Sequence, residues 1–309
     1  MRGEPSTGRL RHRVGEAIAE HRLWGPGQAV AVAVSGGLDS VCLLDLLLVT
    51  RAWHGGDLSV VTIDHGLHPE SAEHAAFVAE LARARDLPCR TLRLELPDRS
   101  EATARAGRYA ALATLPVDRV ALGHHRDDQA ETLLLQLLRG SGVRGLGAMR
   151  RIRDRYVRPL LDVSRSELEA WARWRGLDWV EDPTNGDESY LRNRLRRELM
   201  PLLESIRPGA SAALATAASL CAEDDACLES LLPNGEIDAG WVAEAPSALV
   251  GRALRRAFPT AGSRHVRDLV RAARRGAGEV RLPGGLVVQV VRGRILARRA
   301  VAEEDNPRG

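Results

Sequence analysis

Short unbroken apolar runs alternate along this chain with stretches of helical spacing. Gln28 to Val34 is a run of small and branched residues suited to a strand buried on both faces, and the apolar stretch Val41 to Leu48 behind it reads as a helix. The alternation repeats with a strand over Leu58 to Ile63, a helix over Ser71 to Arg85 closed by Pro88, and a strand over Arg90 to Leu96. A helix from Ser100, a strand over Arg119 to Leu122 and a helix over Asp127 to Leu138 follow, while a helix over Arg9 to His21 precedes the whole series. This order predicts an α/β fold, a doubly wound parallel sheet with helices on both faces. Ligands of such sheets bind beyond the carboxyl ends of the strands. The segments Ser35 to Ser40, Asp64 to Leu67 and Gly123 to Glu131 follow those ends and hold most of the polar residues that a buried sheet does not need.

Beyond the series the pattern changes. Gly140 to Gly147 reads as a glycine-rich loop, and Ser164 with Glu167 forms a capping box that starts a helix reaching Arg175. Arg207-Pro208-Gly209 is the best boundary, dividing the chain into a first domain, 1–208, and a smaller, mainly helical α+β domain, 209–309. The second opens without a basic residue from Pro208 to Gly251, then carries thirteen Arg against Asp268 and Glu279 between Arg252 and Arg299. Glu279 to Arg298 alternates β-like runs around Pro283-Gly284-Gly285 and predicts a hairpin or small sheet.

Composition narrows the chemistry. All 44 basic residues are Arg, so no Schiff base, catalytic ammonium or lysine-containing phosphate loop exists in this chain. The four cysteines form no C-x-x-C pair, which argues against a zinc ribbon or a redox motif. The longest apolar run, Val41 to Val49, is interrupted by Asp45 and is too short to cross a bilayer, and the N-terminus lacks a secretory h-region. A soluble cytoplasmic protein without a membrane partner is expected.

The strongest signal is Ser35-Gly36-Gly37-Leu38-Asp39-Ser40 between a buried strand and a helix. Such a turn aims consecutive amides and a helix N-terminus at one point, which binds phosphate without a lysine. It resembles the pyrophosphate loop of the N-type ATP pyrophosphatases, the PP-loop family. That resemblance implies a HUP-type sheet, similar to adenine nucleotide α-hydrolases. It also implies nucleotide contacts from Ser35, Gly36, Gly37, Leu38, Asp39 and Ser40, with Mg2+ on Asp39.

Further strings appear in the order of the family's lysidine synthetase branch. Asp64-His65-Gly66-Leu67 ends a strand, and the resemblance makes Asp64 and His65 nucleotide contacts. Glu101, Arg105 and Arg108 share one face of a helix, which alone reads as a solvated ladder; its E-x-x-A-R-x-x-R-Y pattern gives Arg105 and Arg108 a substrate role. In Leu122-Gly123-His124-His125-Arg126-Asp127-Asp128-Gln129-Ala130-Glu131-Thr132, the carboxylates of Asp128 and Glu131 stand three residues apart on a helix, able to meet one ligand. Arg192, Asn193 and Arg196 follow Arg158-Pro159-Leu160-Leu161 and Glu181-Asp182-Pro183-Thr184-Asn185.

By this resemblance Asp39, Arg105, Asp128 and Glu131 are catalytic. Arg105, Arg108, His124, His125, Asp128, Glu131, Arg192, Asn193 and Arg196 bind substrate, the two carboxylates recognising the amine. The implied reaction is an ATP-dependent ligation of free lysine to cytidine 34 of tRNA(Ile) with a CAU anticodon. ATP and Mg2+ are its implied cofactors, and a homodimer is left open. The match covers roughly residues 28 to 200, and the chain resembles a short form without the extra C-terminal domain of longer members. A tRNA thiolase on the same loop needs a persulfide or cluster cysteine beside the site, an NAD- or GMP-type synthetase lacks the ordered strings, and a non-catalytic nucleotide sensor does not need Asp39 together with Asp128 and Glu131.

Overall fold

The computed structural model of the chain describes residues 7–64, 66, 71–94, 101–180 and 191–299. Helix α1 (Thr7–Glu20) leads into β1 (Ala29–Ala33), α2 (Leu38–Val49), a single turn α3 (Arg51–His54) and β2 (Asp57–Asp64). The series continues with α4 (Ser71–Arg83), β3 (Cys89–Arg93), α5 (Glu101–Ala113), β4 (Arg119–Ala121) and α6 (Arg126–Leu138). The expected alternation is therefore present. Where a loop was expected, Val143–Leu146 forms a short helix, α7. Two strands of two residues each, β5 (Ile152–Arg153) and β6 (Tyr156–Val157), fall in a stretch where no strand was expected.

The sheet runs β3-β2-β1-β4-β6-β5. All neighbours are parallel except the β5–β6 hairpin at one edge. The chain builds outward from β1 to β2 and β3, then returns to place β4 on the other side of β1. Strand order reverses there, so a crevice opens between the carboxyl ends of β1 and β4. Both faces of the sheet are covered. Val30 and Val32 of β1 point into a core shared with α1, α2 and α8 (Arg165–Arg175), and Ala31 points into a second core with Leu112, Leu115, Val120 and Tyr156.

Helix α2 is apolar nearly all round and correspondingly buried; its inward carboxylate, Asp45, is 4% exposed. Asp45 is not left unpaired. It accepts hydrogen bonds from Trp171 Nε1 at 2.9 Å and from Arg175 Nε and Nη2 at 2.9 and 3.0 Å, which joins α2 to the far end of α8.

Helix α9 (Leu191–Arg194) passes through a π-type turn (Leu195–Leu199) into α10 (Met200–Ile206). Pro201 explains the widened turn, because it has no N–H for the carbonyl four residues back and its ring crowds that carbonyl. Helix α11 (Ala210–Ser230) follows. The chain divides into two compact units, Met1–Ala222 and Glu223–Gly309, so the division falls within α11, and Arg207 to Gly209 is a turn between α10 and α11 inside the first unit. The second unit holds α12 (Ala239–Glu244), α13 (Ser247–Ala257), α14 (Ser263–Arg274) and the antiparallel sheet β7 (Gly278–Leu282), β8 (Leu286–Val291) and β9 (Arg294–Arg299). Its own core centres on Val242, Leu254, Leu269 and Val288.

Candidate active site

The loop after β1 is shaped by its own side chains. Gly36 has φ +91°, a conformation that a side chain would strain. The Ser40 hydroxyl donates to the Gly37 carbonyl at 2.8 Å and accepts from the Ser35 N–H at 3.1 Å, closing the turn at the head of α2. Leu38 is buried and anchors it. Ser40 is thus committed within the loop, and the helix N-terminus beneath it supplies the positive end of a dipole.

The segment after β4 comes close to this loop. A Cβ on Gly123 would stand 3.3 Å from the Asp39 carbonyl group and from Ser40 Cα, so glycine is what lets the two segments meet. They meet at His125, which is 1% exposed and has Nε2 at 3.5 Å from both Asp39 Oδ2 and Asp128 Oδ2. Its Nδ1 is 3.8 Å from Asp127 Oδ2. These distances are long for hydrogen bonds, and neither ring nitrogen has a partner among the described residues. Burial disfavours a charge on His125, but the carboxylates of Asp128, Asp39 and Asp127 outweigh it and hold the imidazole above its ordinary pKa. His125, expected to bind substrate, is buried between Asp39 of the loop and Asp127 and Asp128 of α6.

Asp128 and Glu131 share the inner face of α6, as their spacing predicts, and are 8% and 1% exposed. Arg192 and Arg196, four apart on α9 and its π-type turn, clamp them. Arg192 Nη2 donates to Asp128 Oδ1 at 2.9 Å and its Nε to Glu131 Oε2 at 2.8 Å. Arg196 Nε donates to Glu131 Oε1 at 2.6 Å, and its Nη2 reaches both carboxylates at 3.1 Å. Burial alone would raise the Asp128 pKa, but the charges of His125 and Arg192 hold it down at about 2. Two buried carboxylates meet two half-buried guanidiniums in a charge-balanced cluster.

His124, beside Asp128, has the opposite character. Burial, with the nearby charges of Arg158, Arg192 and Arg105, pushes its pKa down to about 4 despite the attraction of Asp128. Arg158 Nε donates to His124 Nδ1 at 3.3 Å, which leaves the ring proton on Nε2 and makes a neutral hydrogen-bond donor. Arg158 itself is 3% exposed and fixed by the Arg150 carbonyl at 2.6 Å.

Asp64 turns inward, accepting from the Gly66 N–H at 3.0 Å and the Ser71 hydroxyl at 2.7 Å, so it closes its own β2–α4 turn. Arg105 and Arg108 are exposed on α5, with the Arg105 guanidinium 5.6 Å from the Tyr109 ring centre. Asn193 lies on α9 between the two clamping arginines. His65, the Glu101 side chain and the Glu181 to Asn185 string lie outside the described residues.

The sequence singled out neither Asp127 nor Arg165. Asp127 Oδ2 accepts the backbone N–H of Arg165 at 2.7 Å, the first residue of α8, and Asp127 Oδ1 accepts from the Ser211 hydroxyl. The Arg165 guanidinium then stands 3.4 Å from Asp39 Oδ2. Asp127 lies within the recognised string, whereas nothing local distinguishes Arg165 from the other arginines.

Strand order and loop together define an α/β nucleotide-binding domain built on a pyrophosphate loop, and residues 9–203 match the PP-loop domain family. A tRNA(Ile)-lysidine synthase from Nocardia farcinica is 41% identical over 94% of this chain and 98% of its own length. One from Azoarcus is 37% identical over 89% of this chain and 66% of its own length. The chain spans about half the length or less of some other curated relatives. Among solved structures, the U34-tRNA thiolase NcsA from Methanococcus maripaludis shares the fold, with a TM-score of 0.59 and 15% identity over 72% of this chain and 81% of that one. The chain belongs to the tRNA(Ile)-lysidine synthase family of PP-loop proteins.

Proposed function

We propose that the crevice between β1 and β4 adenylates cytidine 34 of a tRNA(Ile) with a CAU anticodon and then joins free lysine to the activated base. The carrying observation is the juxtaposition of a lysine-free phosphate loop with a buried acidic pair, brought together across the topological switch point by His125. In the first step the cytidine O2 attacks the α-phosphorus of ATP, and the bond to pyrophosphate breaks. In the second the lysine ε-amine attacks C2, loses a proton, and AMP departs with the former base oxygen. Adenylation is what turns that oxygen into a leaving group.

The loop amides and the N-terminus of α2 receive phosphate charge where it grows as pyrophosphate leaves. Asp39 suits a divalent cation, because its Oδ1 is buried without a hydrogen-bond partner. Mg2+ binds through one or two carboxylates together with substrate phosphates, and a single free Asp39 oxygen beside a phosphate loop meets that need. Such a cation would neutralise phosphate charge. Neutral His124 offers its Nε2 proton to a substrate oxygen, and Arg105 lends positive charge nearby. Arg108 and Asn193 serve the tRNA.

Asp128 and Glu131 hold the ammonium of lysine. Because Arg192 and Arg196 already balance both carboxylates, the amine must replace guanidinium contacts. Among the described residues no helix is long and apolar enough to cross a membrane, in keeping with work in the cytoplasm.

Pyrophosphate release tests the assignment of the loop. With tRNA and ATP the protein should release pyrophosphate in a tRNA-dependent burst, and Asp39→Asn should reduce the rate at least a hundredfold, about 3 kcal/mol of transition-state stabilisation, while the fold stays intact. Near-normal release by the variant at saturating magnesium would remove Asp39 from the site.

A further inference from the structure

Amides and a helix N-terminus meet phosphate at this loop, and any side-chain ammonium or guanidinium that joins them must be an arginine, because the chain has no lysine. Three separate contacts fix where one of them stands. The Asp127 carboxylate holds the backbone N–H of Arg165 at 2.7 Å. The capping box of α8 orients the same turn, with the Glu167 carboxylate accepting the Ser164 N–H at 2.9 Å. Asp45 of α2 holds the other end of α8 through Trp171 and Arg175. Since α2 also begins the phosphate loop, the base of the Arg165 side chain is set rigidly against that loop.

The head of the side chain remains available. Arg165 Nη1 is 3.4 Å from Asp39 Oδ2, and Nε is 3.5 Å from Glu169 Oε1. Both contacts are loose for charged pairs, and Nη2 has no partner among the described residues. The side chain is 44% exposed, and its guanidinium already stands beside Asp39, a residue of the loop itself.

We propose that Arg165 is a phosphate-binding residue of this site, taking the part that a lysine plays in other phosphate loops. Its guanidinium pairs with Asp39 at 3.4 Å. A divalent cation, when bound, would be held by Asp39; the guanidinium of Arg165 then pairs with the terminal phosphates of the nucleotide and stays with pyrophosphate until it leaves. Glu169 steadies it through Nε and leaves the planar Nη pair free for bidentate contact with phosphate oxygens. This assignment rests on the reading of the loop as an ATP site.

Titration calorimetry on the full chain, with magnesium pyrophosphate and with AMP as separate ligands, tests it. Arg165→Gln should weaken pyrophosphate binding about tenfold or more and leave AMP within about twofold of the parent protein. Arg165→Lys should recover part of the loss, since it restores charge without the fork. A variant that only disturbed packing would lose both ligands together, and that result, like an unchanged pyrophosphate affinity, would overturn the assignment. If the parent protein bound neither ligand, the reading of the loop would fall first and Arg165 with it. Loss by Asp39→Asn but not by Arg165→Gln would keep the loop and refute Arg165 alone.

Discussion

Glu131 is nearly inaccessible to solvent, yet it faces two guanidiniums within 3.1 Å, so replacing it separates charge from shape. Glu131→Gln keeps the volume but leaves Arg192 and Arg196 short of a counter-charge, and should cost about 1–3 kcal/mol in denaturant melts. In single-turnover assays with labelled ATP it should still form adenylated tRNA, let it accumulate, and need roughly tenfold more lysine to proceed. Parallel loss of adenylation would move Glu131 to the nucleotide. The residues of this cluster were legible, because Asp128 and Glu131 are spaced for one helix face, as are Arg192 and Arg196. Their pairing was not. Contacts between residues 61 to 68 positions apart depend on how α9 packs against α6, which no local pattern encodes. His125 shows the same limit, since its string announces a polar residue but not that β4 and α6 bury it.

At the scale of elements, the long strands and helices could be read from periodicity because each buries a face that repeats. Strands β5 and β6 were not visible, since two residues are too few for alternation to carry meaning. The π-type turn before Pro201 is a local distortion that a helical pattern passes over. The start of α8 was legible to the residue, and Ser164 and Glu167 form the capping box. What the sequence left out is that Arg13 of α1 also binds Glu167, at 2.6 Å. Burial would raise the Glu167 pKa, but Arg13 and the Ser164 N–H and hydroxyl lower it to about 2, from an ordinary 4.5. A carboxylate with a lowered folded-state pKa contributes stability above its unfolded value and loses it as pH falls toward the folded one. Glu167→Gln should therefore be less stable than the parent by about 1–2 kcal/mol at pH 7, discounted for partial exposure, with the gap closing between about pH 4.5 and pH 2. A gap independent of pH would mean that the carboxylate's charge does not hold α1 to α8.

For the whole molecule, the sequence conveyed two bodies and the basic end of the second, while the division within α11 was hidden because an alanine-rich helix runs through it without a break in composition. Helix α14 buries Val266, Leu269, Ala272 and Ala273 and exposes an arginine row. Arg271 shares Asp268 with Arg264, whereas Arg267 and Arg274 have no ion pair among the described residues and are the better candidates for RNA phosphate contact. Reversing both to Glu should lower the log-log salt slope of tRNA binding by roughly 0.7 to 0.9 per lost contact and leave ATP affinity unchanged. An unaltered slope would place the RNA footprint elsewhere. The central claim concerns the nucleoside itself, and the chain offers a clean background because it contains no lysine of its own. A tRNA(Ile) transcript with a CAU anticodon should be incubated with the protein, ATP and labelled lysine, then digested for mass spectrometry of its nucleosides. The account predicts that one cytidine, at position 34, gains the mass of lysine less one water and carries the label, with AMP and pyrophosphate formed in equal amount. ATP cleavage with every cytidine unchanged in mass would contradict it.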